Sequence, residues 1–456
     1  MRGRTAVGGV AFLLAATAAA GQSGGQADPV ARVQEYLRVN TTNPPGNESL
    51  GVDFFRRIFE AEGVRYETAE SAPGRGNIWA RLEGGSEPAL LLLHHMDVVP
   101  ADPQYWSTSP LSGELRDGHV YGRGALDTKT LGILHLEAFL ALHRAGRPLR
   151  RPVLFMATAD EEAGGFFGVG WLVEKRPELF RNVGWVLNEG GTGFELNGRH
   201  VFEVEVTQKV PLWIRMVAQD EPGHGSLPRV TSSVHRLIRS LDNVRRHVFE
   251  PRLVPAVEAY FKARSAAGIG PFADRLAQPA AAVRDPAFLH RLQLESPFLA
   301  ALTRNTCSIT RLEGSPKINV VPPQASAEID CRLLPDQDPD RFLRSLADIV
   351  DDSAIRIEKI MAFSPAVSST DTDLFRALRQ VTTRHFPGAA LLPSVQSGFT
   401  DSHFLRDRGM VCYGFNPMLI PPADAAGVHG NNERVSVENI RRGVVMMQEI
   451  VRALVY

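Results

Sequence analysis

Apolar residues in the first half of the chain run in short unbroken blocks, and three of these blocks end in ionisable side chains. LLLHHMDVVP (Leu91–Pro100), VLFMATA (Val153–Ala159) followed by DEE, and VGWVLNEGG (Val183–Gly191) each read as a buried strand delivering polar groups to a sheet edge. Between the first two, LGILHLEAFLALHRAG carries apolar residues on a helical period and stops at Gly146, the signature of a helix packed on that sheet. Strand, helix and strand through Glu189 predict an α/β arrangement with the third strand ending at that glutamate.

After about Val206 the pattern changes. An alternating segment, VPLWIRMVAQ, leads into a helix around SSVHRLIRSLDNVRRHV, and later come CSITRLE, ASAEIDCRLL, a helix at DRFLRSLADIVDD and AIRIEKI. That order, βαββαβ, predicts a ferredoxin-like second domain inserted into the first. It is interrupted over about 250–306 by an alanine- and proline-rich stretch with helical patches such as PAFLHRLQLE. The expected division is a catalytic domain made of two segments, 29–204 and 364–456, with a lid over 205–363 between them. At 456 residues and 44% hydrophobic, the chain can bury more than one core. A formal net charge of −1, with both signs mixed along the chain, gives no electrostatic case for nucleic acid or an anionic membrane surface as partner.

The strand ends carry the chemistry. Residues two apart share a face of a strand, so His95 and Asp97 point the same way and Asp97 can hold the imidazole, while His94 points elsewhere. Asp160, Glu161 and Glu162 crowd like charges together, which repel unless a cation compensates them. Imidazole with carboxylate, and no thiolate in any of these strings, suits zinc and its neighbours. GRGALDTK (Gly122–Lys129) and HGNNERV (His429–Val435) complete the set.

With these four strings in this order, the chain resembles the co-catalytic di-zinc amidohydrolases and exopeptidases: aminoacylase, carboxypeptidase G, acetylornithine deacetylase and succinyl-diaminopimelate desuccinylase. The insertion, NVVPP and RLLP make it look most like the carboxypeptidase S branch. The resemblance implies two Zn2+ per subunit, with Co2+ or Mn2+ able to use the same ligands. It implies that His95 binds one ion and His429 the other, that Asp127 bridges them, that Glu162 and Glu189 each complete one site, and that Glu161 is the general base with Asp97 orienting His95. Three ligand carboxylates against two divalent ions come close to charge balance. The residues at His94, Thr128 and Asn188 depart from the usual pattern without removing a ligand; Thr128 bears on the strained peptide that the family carries after its bridging acid.

The same resemblance reaches substrate recognition. GHGSLP (Gly223–Pro228) matches the lid motif whose histidine, here His224, stabilises the oxyanion, often from the partner subunit. Asn319 and Arg332 occupy positions that help bind a substrate's free carboxylate, and Gly398, Thr400 and Asp401 lie in the segment framing the substrate end of the crevice. The implied activity is hydrolysis of an amide bond in small peptides or N-acyl amino acids, with a homodimer through the lid as the expected assembly. Acylase and peptidase activities differ only in what fills the two sides of the crevice, and a non-catalytic binding protein on the same fold would lack the base and ligands present here.

The N-terminus predicts export. MRGR gives a basic start, AVGGVAFLLAATAAA an apolar run short for a bilayer, and Ala18-x-Ala20 a small-residue cleavage site, so residues 1–20 read as a signal peptide and 21–28 as a flexible tether, placing the mature enzyme in the periplasm or outside the cell without a stable membrane span. Three cysteines are too few for disulfides to dominate stability; Cys307 and Cys331 could face each other across neighbouring strands.

Overall fold

The computed structural model describes residues 28–456; the expected signal peptide, and all of the tether before its last residue, lie outside them. The larger sheet has eight strands: β1 (Tyr66–Glu70), β2 (Gly76–Leu82), β3 (Ala89–His95), β4 (Val153–Thr158), β5 (Val183–Leu196), β6 (Arg199–Gln208), β11 (Ala390–Gln396) and β12 (Val411–Leu419). They lie in the order β1-β2-β4-β3-β5-β12-β6-β11, with parallel and antiparallel pairs mixed. Every residue of β3 and β4 is buried, as unbroken apolar runs require of strands covered on both faces. Helices α1 (Pro29–Leu37), α2 (Ser49–Glu62), α3 (Lys129–Ala145) and α7 (Val437–Val455) share one core with α6 (Asp373–His385) on one face of the sheet, and a smaller cluster covers the other.

Helix α3 ends as its sequence dictates: Gly146 takes the left-handed conformation at φ 58°, and its amide bonds back to the carbonyls of Leu142 and His143. Midway along it, Gly132 passes over His94 so closely that a Cβ there would sit 2.3 Å from the imidazole ring. His94 therefore lies in the core among Tyr36, Phe55 and Phe155, where burial pushes its imidazole well below the ordinary value.

The smaller sheet contains β7 (Val210–Gln219), β8 (Thr306–Glu313), β9 (Gln324–Leu333) and β10 (Ile355–Ala362), antiparallel in the order β8-β9-β7-β10, with α4 (Ser233–Arg246) and α5 (Pro339–Val350) packed on it. This is the βαββαβ arrangement. Its first strand begins at Val210, because β6 continues in the larger sheet to Gln208; the chain therefore crosses over a few residues later than 205. Cys307 and Cys331 stand opposite each other on β8 and β9 and form a disulfide, while Cys412 is a buried free thiol pushed up to about 12 by its burial.

The alanine- and proline-rich stretch folds into short helices, four of which open on a proline: Pro255, Pro279, Pro286 and Pro297. At that position a missing N–H costs nothing and the fixed φ suits the helix. Together they build a core of Tyr260, Phe261, Phe272 and Phe288 that takes in Val395, so they cover the edge strand β11. Among the described residues no helix is long and apolar enough to cross a membrane.

Candidate metal centre

Three neighbouring strands bring the ionisable groups together. The parallel registers His95 with Thr158, and Leu92 with Leu187, align the ends of β3 and β4 with the middle of β5, so that His95, the turn after Thr158 and Glu189 converge. Glu189 is not at a strand end as the sequence suggested, since β5 runs on to Leu196 and folds back against β6. Instead the register with β12 jumps from Asn188–Gly414 to Gly191–Phe415, a bulge in which Gly190 has φ 139° and Glu189 is turned out of the ladder.

Asp127 precedes α3 and divides its two oxygens. One lies 3.2 Å from His95 Nε2 and the other 3.1 Å from His429 Nε2. Glu189 Oε2 is 3.5 Å from His95 Nε2, and Glu162 Oε2 is 3.2 Å from His429 Nε2. Two trios result, His95–Asp127–Glu189 and Asp127–Glu162–His429, with the donor atoms of each within 4.8 Å of one another. The second carboxylate oxygens of Glu162 and Glu189 are buried without a hydrogen-bond partner. The peptide after Asp127 is cis.

The electrostatics match this crowding. Burial pushes Glu189 up to about 7, and burial with the charges of Glu189 and Glu162 holds Glu161 well above the carboxylate range. Hydrogen bonds to Asp127 and Glu162 push the His429 imidazole up to about 10. Burial alone would lower His95, yet Glu189, Asp127 and Asp97 outweigh it and hold the ring well above its ordinary value. Protons on the two imidazoles thus sit where positive charge is wanted, and a divalent ion in each trio would replace them. Oxygen and nitrogen donors only, one shared carboxylate and two orphaned carboxylate oxygens fit a pair of zinc-like ions.

Asp97 does more than orient His95. The nearest contact of His95 Nδ1 is the Asp97 backbone carbonyl at 2.9 Å, with the Asp97 carboxylate at 3.5 Å. That carboxylate accepts from the backbone amides of Glu161 and Glu162 at 3.1 and 3.2 Å and from Asn43 at 2.8 Å, so it holds the turn that carries both glutamates. Asn43 was not foreseen, nor was Arg75, whose buried guanidinium pairs with Asp160 behind the same turn.

A cavity of about 420 Å3 opens onto these groups. It is lined by Asp127, Glu161, Glu162, Glu189 and His429, by Gly398 and Thr400, and from the lid by Trp213 and Arg332. Asp330 fixes Arg332 by accepting from Nε and Nη2 at 2.7 and 3.1 Å, leaving Nη1 buried without a partner. Trp213 was missed, although it alternates out of phase with the core residues Leu212, Ile214 and Met216 and so belongs to the other face of β7. Three expected residues lie elsewhere. His224 is exposed at a corner of the lid, its Nδ1 2.8 Å from Ser226 Oγ, and Asn319 is exposed beside it, accepting from the Gly225 amide at 2.9 Å. Asp401 is buried beneath the site, 3.3 Å from Thr158 Oγ1, where it raises Glu161 through its charge instead of facing the cavity.

Comparison with known proteins agrees with this geometry. Residues 91–453 match the model of peptidase family M20/M25/M40. The N-fatty-acyl-amino acid synthase/hydrolase PM20D1 of Xenopus tropicalis is 31% identical, across 85% of this chain and 76% of its own length. Rat aminoacylase-1B is 27% identical across 92% and 94%. Among solved structures, an M20-family metallo-carboxypeptidase from Sulfolobus solfataricus superposes with a TM-score of 0.73 at 18% identity, covering 94% of this chain and 99% of its own. A dinuclear metal-binding M20 peptidase of Bacillus subtilis reaches a TM-score of 0.56 at 12% identity, covering 93% and 98%. The chain belongs to the peptidase family M20/M25/M40 and is a metallohydrolase of carbon–nitrogen bonds.

Proposed function

We propose that the protein is an exported di-zinc hydrolase of N-acyl amino acids and small peptides that cleaves the amide bond next to a free carboxylate. The observation that carries the substrate class is Arg332, a guanidinium braced by Asp330 inside the cavity with one buried Nη1 still unpartnered. A planar cation with a free donor in a site otherwise rich in carboxylates selects a substrate with an anionic end. Leu126, Ile420, Ala425 and Val428 also line the cavity, and these apolar side chains favour an acyl group over the charged amine of a dipeptide. Relatives that are named aminoacylase and N-fatty-acyl-amino acid hydrolase support the acyl reading. The carboxypeptidase S-like reading, with peptides as substrates, draws on the same Arg332.

His95, Asp127 and Glu189 would hold one ion, and Asp127, Glu162 and His429 the other. When bound, such a pair polarises the scissile carbonyl and makes water acidic enough to react near neutral pH. Glu161, buried at the cavity wall, takes the proton from the attacking water on its carboxylate and returns it to the departing nitrogen. Asp97 keeps Glu161 and Glu162 in place through their amides, and Arg332 anchors the substrate carboxylate so that the carbonyl meets the water. His224, exposed on the lid, would serve the oxyanion of a partner's site in a homodimer. The N-terminal pattern supports export.

The test is mass-spectrometric hydrolysis of a mixed panel of N-acyl amino acids, dipeptides and their carboxyl-amidated forms by the mature protein with added zinc. Cleavage confined to free carboxylates and abolished by a chelator is the expected result, with the acyl compounds ahead. Preferential cleavage of the amidated members would overturn the assignment.

A further inference from the structure

Two loops carry Asp127 and His429, and the chain joins them with a reciprocal pair of side chains. Glu433, fully buried four residues after His429, reaches back to the other loop: Oε1 accepts from the amides of Leu126 and Asp127 at 2.7 and 3.0 Å, and Oε2 accepts from the amide of Gly124 at 3.1 Å and from Arg123 Nη1 at 2.7 Å. Arg123 reaches the opposite way, donating from Nη2 to the Gly430 carbonyl at 2.8 Å and from Nη1 to the Gly427 carbonyl at 3.3 Å, on either side of His429. Each loop thus grips the backbone that flanks the other's ionisable residue.

The arrangement has a use beyond folding. A short antiparallel pairing of Arg434–Ser436 with His119–Tyr121 also joins the two segments, so these side chains are not their only link. The His429 side chain is half-exposed with φ 54°, and its 3.1 Å approach to Asp127 depends on where both backbones stand. All of Glu433's neighbours are donors, so a glutamine cannot replace it: whichever way its amide turns, an NH2 group faces further N–H groups.

We propose that Glu433 and Arg123 are positioning residues for the metal pair, setting the separation of Asp127 and His429 before any ion arrives. This rests on the metal reading given above. Glu433 holds the amide of the shared ligand, so Glu433→Gln weakens both ions. Arg123→Lys keeps the charge beside Glu433 but loses the fork to Gly427 and Gly430, so it weakens the ion of the His429 trio and spares the other. Removing a group that orients a metal ligand lowers affinity about ten- to a hundredfold.

The experiment is calorimetric titration of Zn2+ into metal-stripped wild type, Glu433→Gln and Arg123→Lys, with thermal unfolding of each before and after loading. Expected are two ions in wild type, one of two weakened at least about tenfold in Arg123→Lys, both weakened in Glu433→Gln, and a smaller metal-induced rise in Tm for both variants. A lower metal-free Tm with wild-type affinities and an unchanged rise would assign the pair to folding alone and overturn the proposal. If Glu433→Gln does not fold, Arg123→Lys decides by itself. Wild type that takes up no zinc would instead overturn the metal reading itself.

Discussion

Replacing Arg332 by methionine isolates the carboxylate anchor, because the aliphatic stem is kept and the charge is removed. The size of the effect follows from the donors that remain free. Nε and Nη2 are committed to Asp330, so the substrate meets Nη1 alone, a single charge-assisted contact instead of a two-pronged fork. Such a bond is worth about 1.5–3 kcal/mol, or about ten- to a hundredfold in kcat/KM. The loss falls at the upper end, since Asp330 keeps only the Trp213 indole, 3.0 Å away, and its carboxylate then repels the substrate's. The assay is kcat/KM for an N-acyl amino acid and for its carboxamide, each on wild type and Arg332→Met. The free acid should lose about ten- to a hundredfold more than the amide. Equal losses on both would show that Arg332 shapes the lid without touching the substrate.

Glu161→Gln should lower turnover about a hundred- to ten-thousandfold while keeping its bound metal, measured by elemental analysis beside steady-state rates. The raised His429 links the stability of the metal-free protein to pH: its folded value of about 10 lies above that of an unfolded histidine, so its contribution is fully present below about 6.5 and is lost as pH rises towards 10. Chemical denaturation of stripped protein from neutral to alkaline pH should show that decline, and metal-loaded protein should not. Replacing Cys307 and Cys331 together by alanine opens a crosslink spanning 24 residues and should destabilise the lid by about 3 kcal/mol in denaturant unfolding. Gly132→Ala drives a methyl group into the His94 ring and should cost about 1–3 kcal/mol, read from the same measurement.

The convergence of His95, the Glu161–Glu162 turn and Glu189 was legible because buried parallel strands announce themselves as apolar runs, and the polar residues that close those runs gather at one sheet edge. The lid's strand and helix order was legible for the same reason of periodicity. Residues placed by loops were harder. Asp401 adjoins the cavity-lining Thr400, but the start of a helical turn points it inward, and linear proximity does not carry that direction. His224 pairs with Val320, next to Asn319, in a short two-stranded ladder at the lid's corner, and no pattern tells whether such a corner faces its own cavity or another subunit's. Glu433 stood inside a string quoted for its histidine, yet its four donors come from more than 300 residues away in sequence, a contact no spacing rule encodes.

The most direct test of the account is the rate of N-acyl amino acid hydrolysis by metal-stripped protein as zinc is added in measured equivalents. A dead apoprotein whose activity rises to a plateau at two ions per chain, with His429→Ala holding fewer and staying inactive, is the predicted result. Turnover that survives stripping, or a protein carrying two ions that hydrolyses no amide next to a free carboxylate, would contradict it.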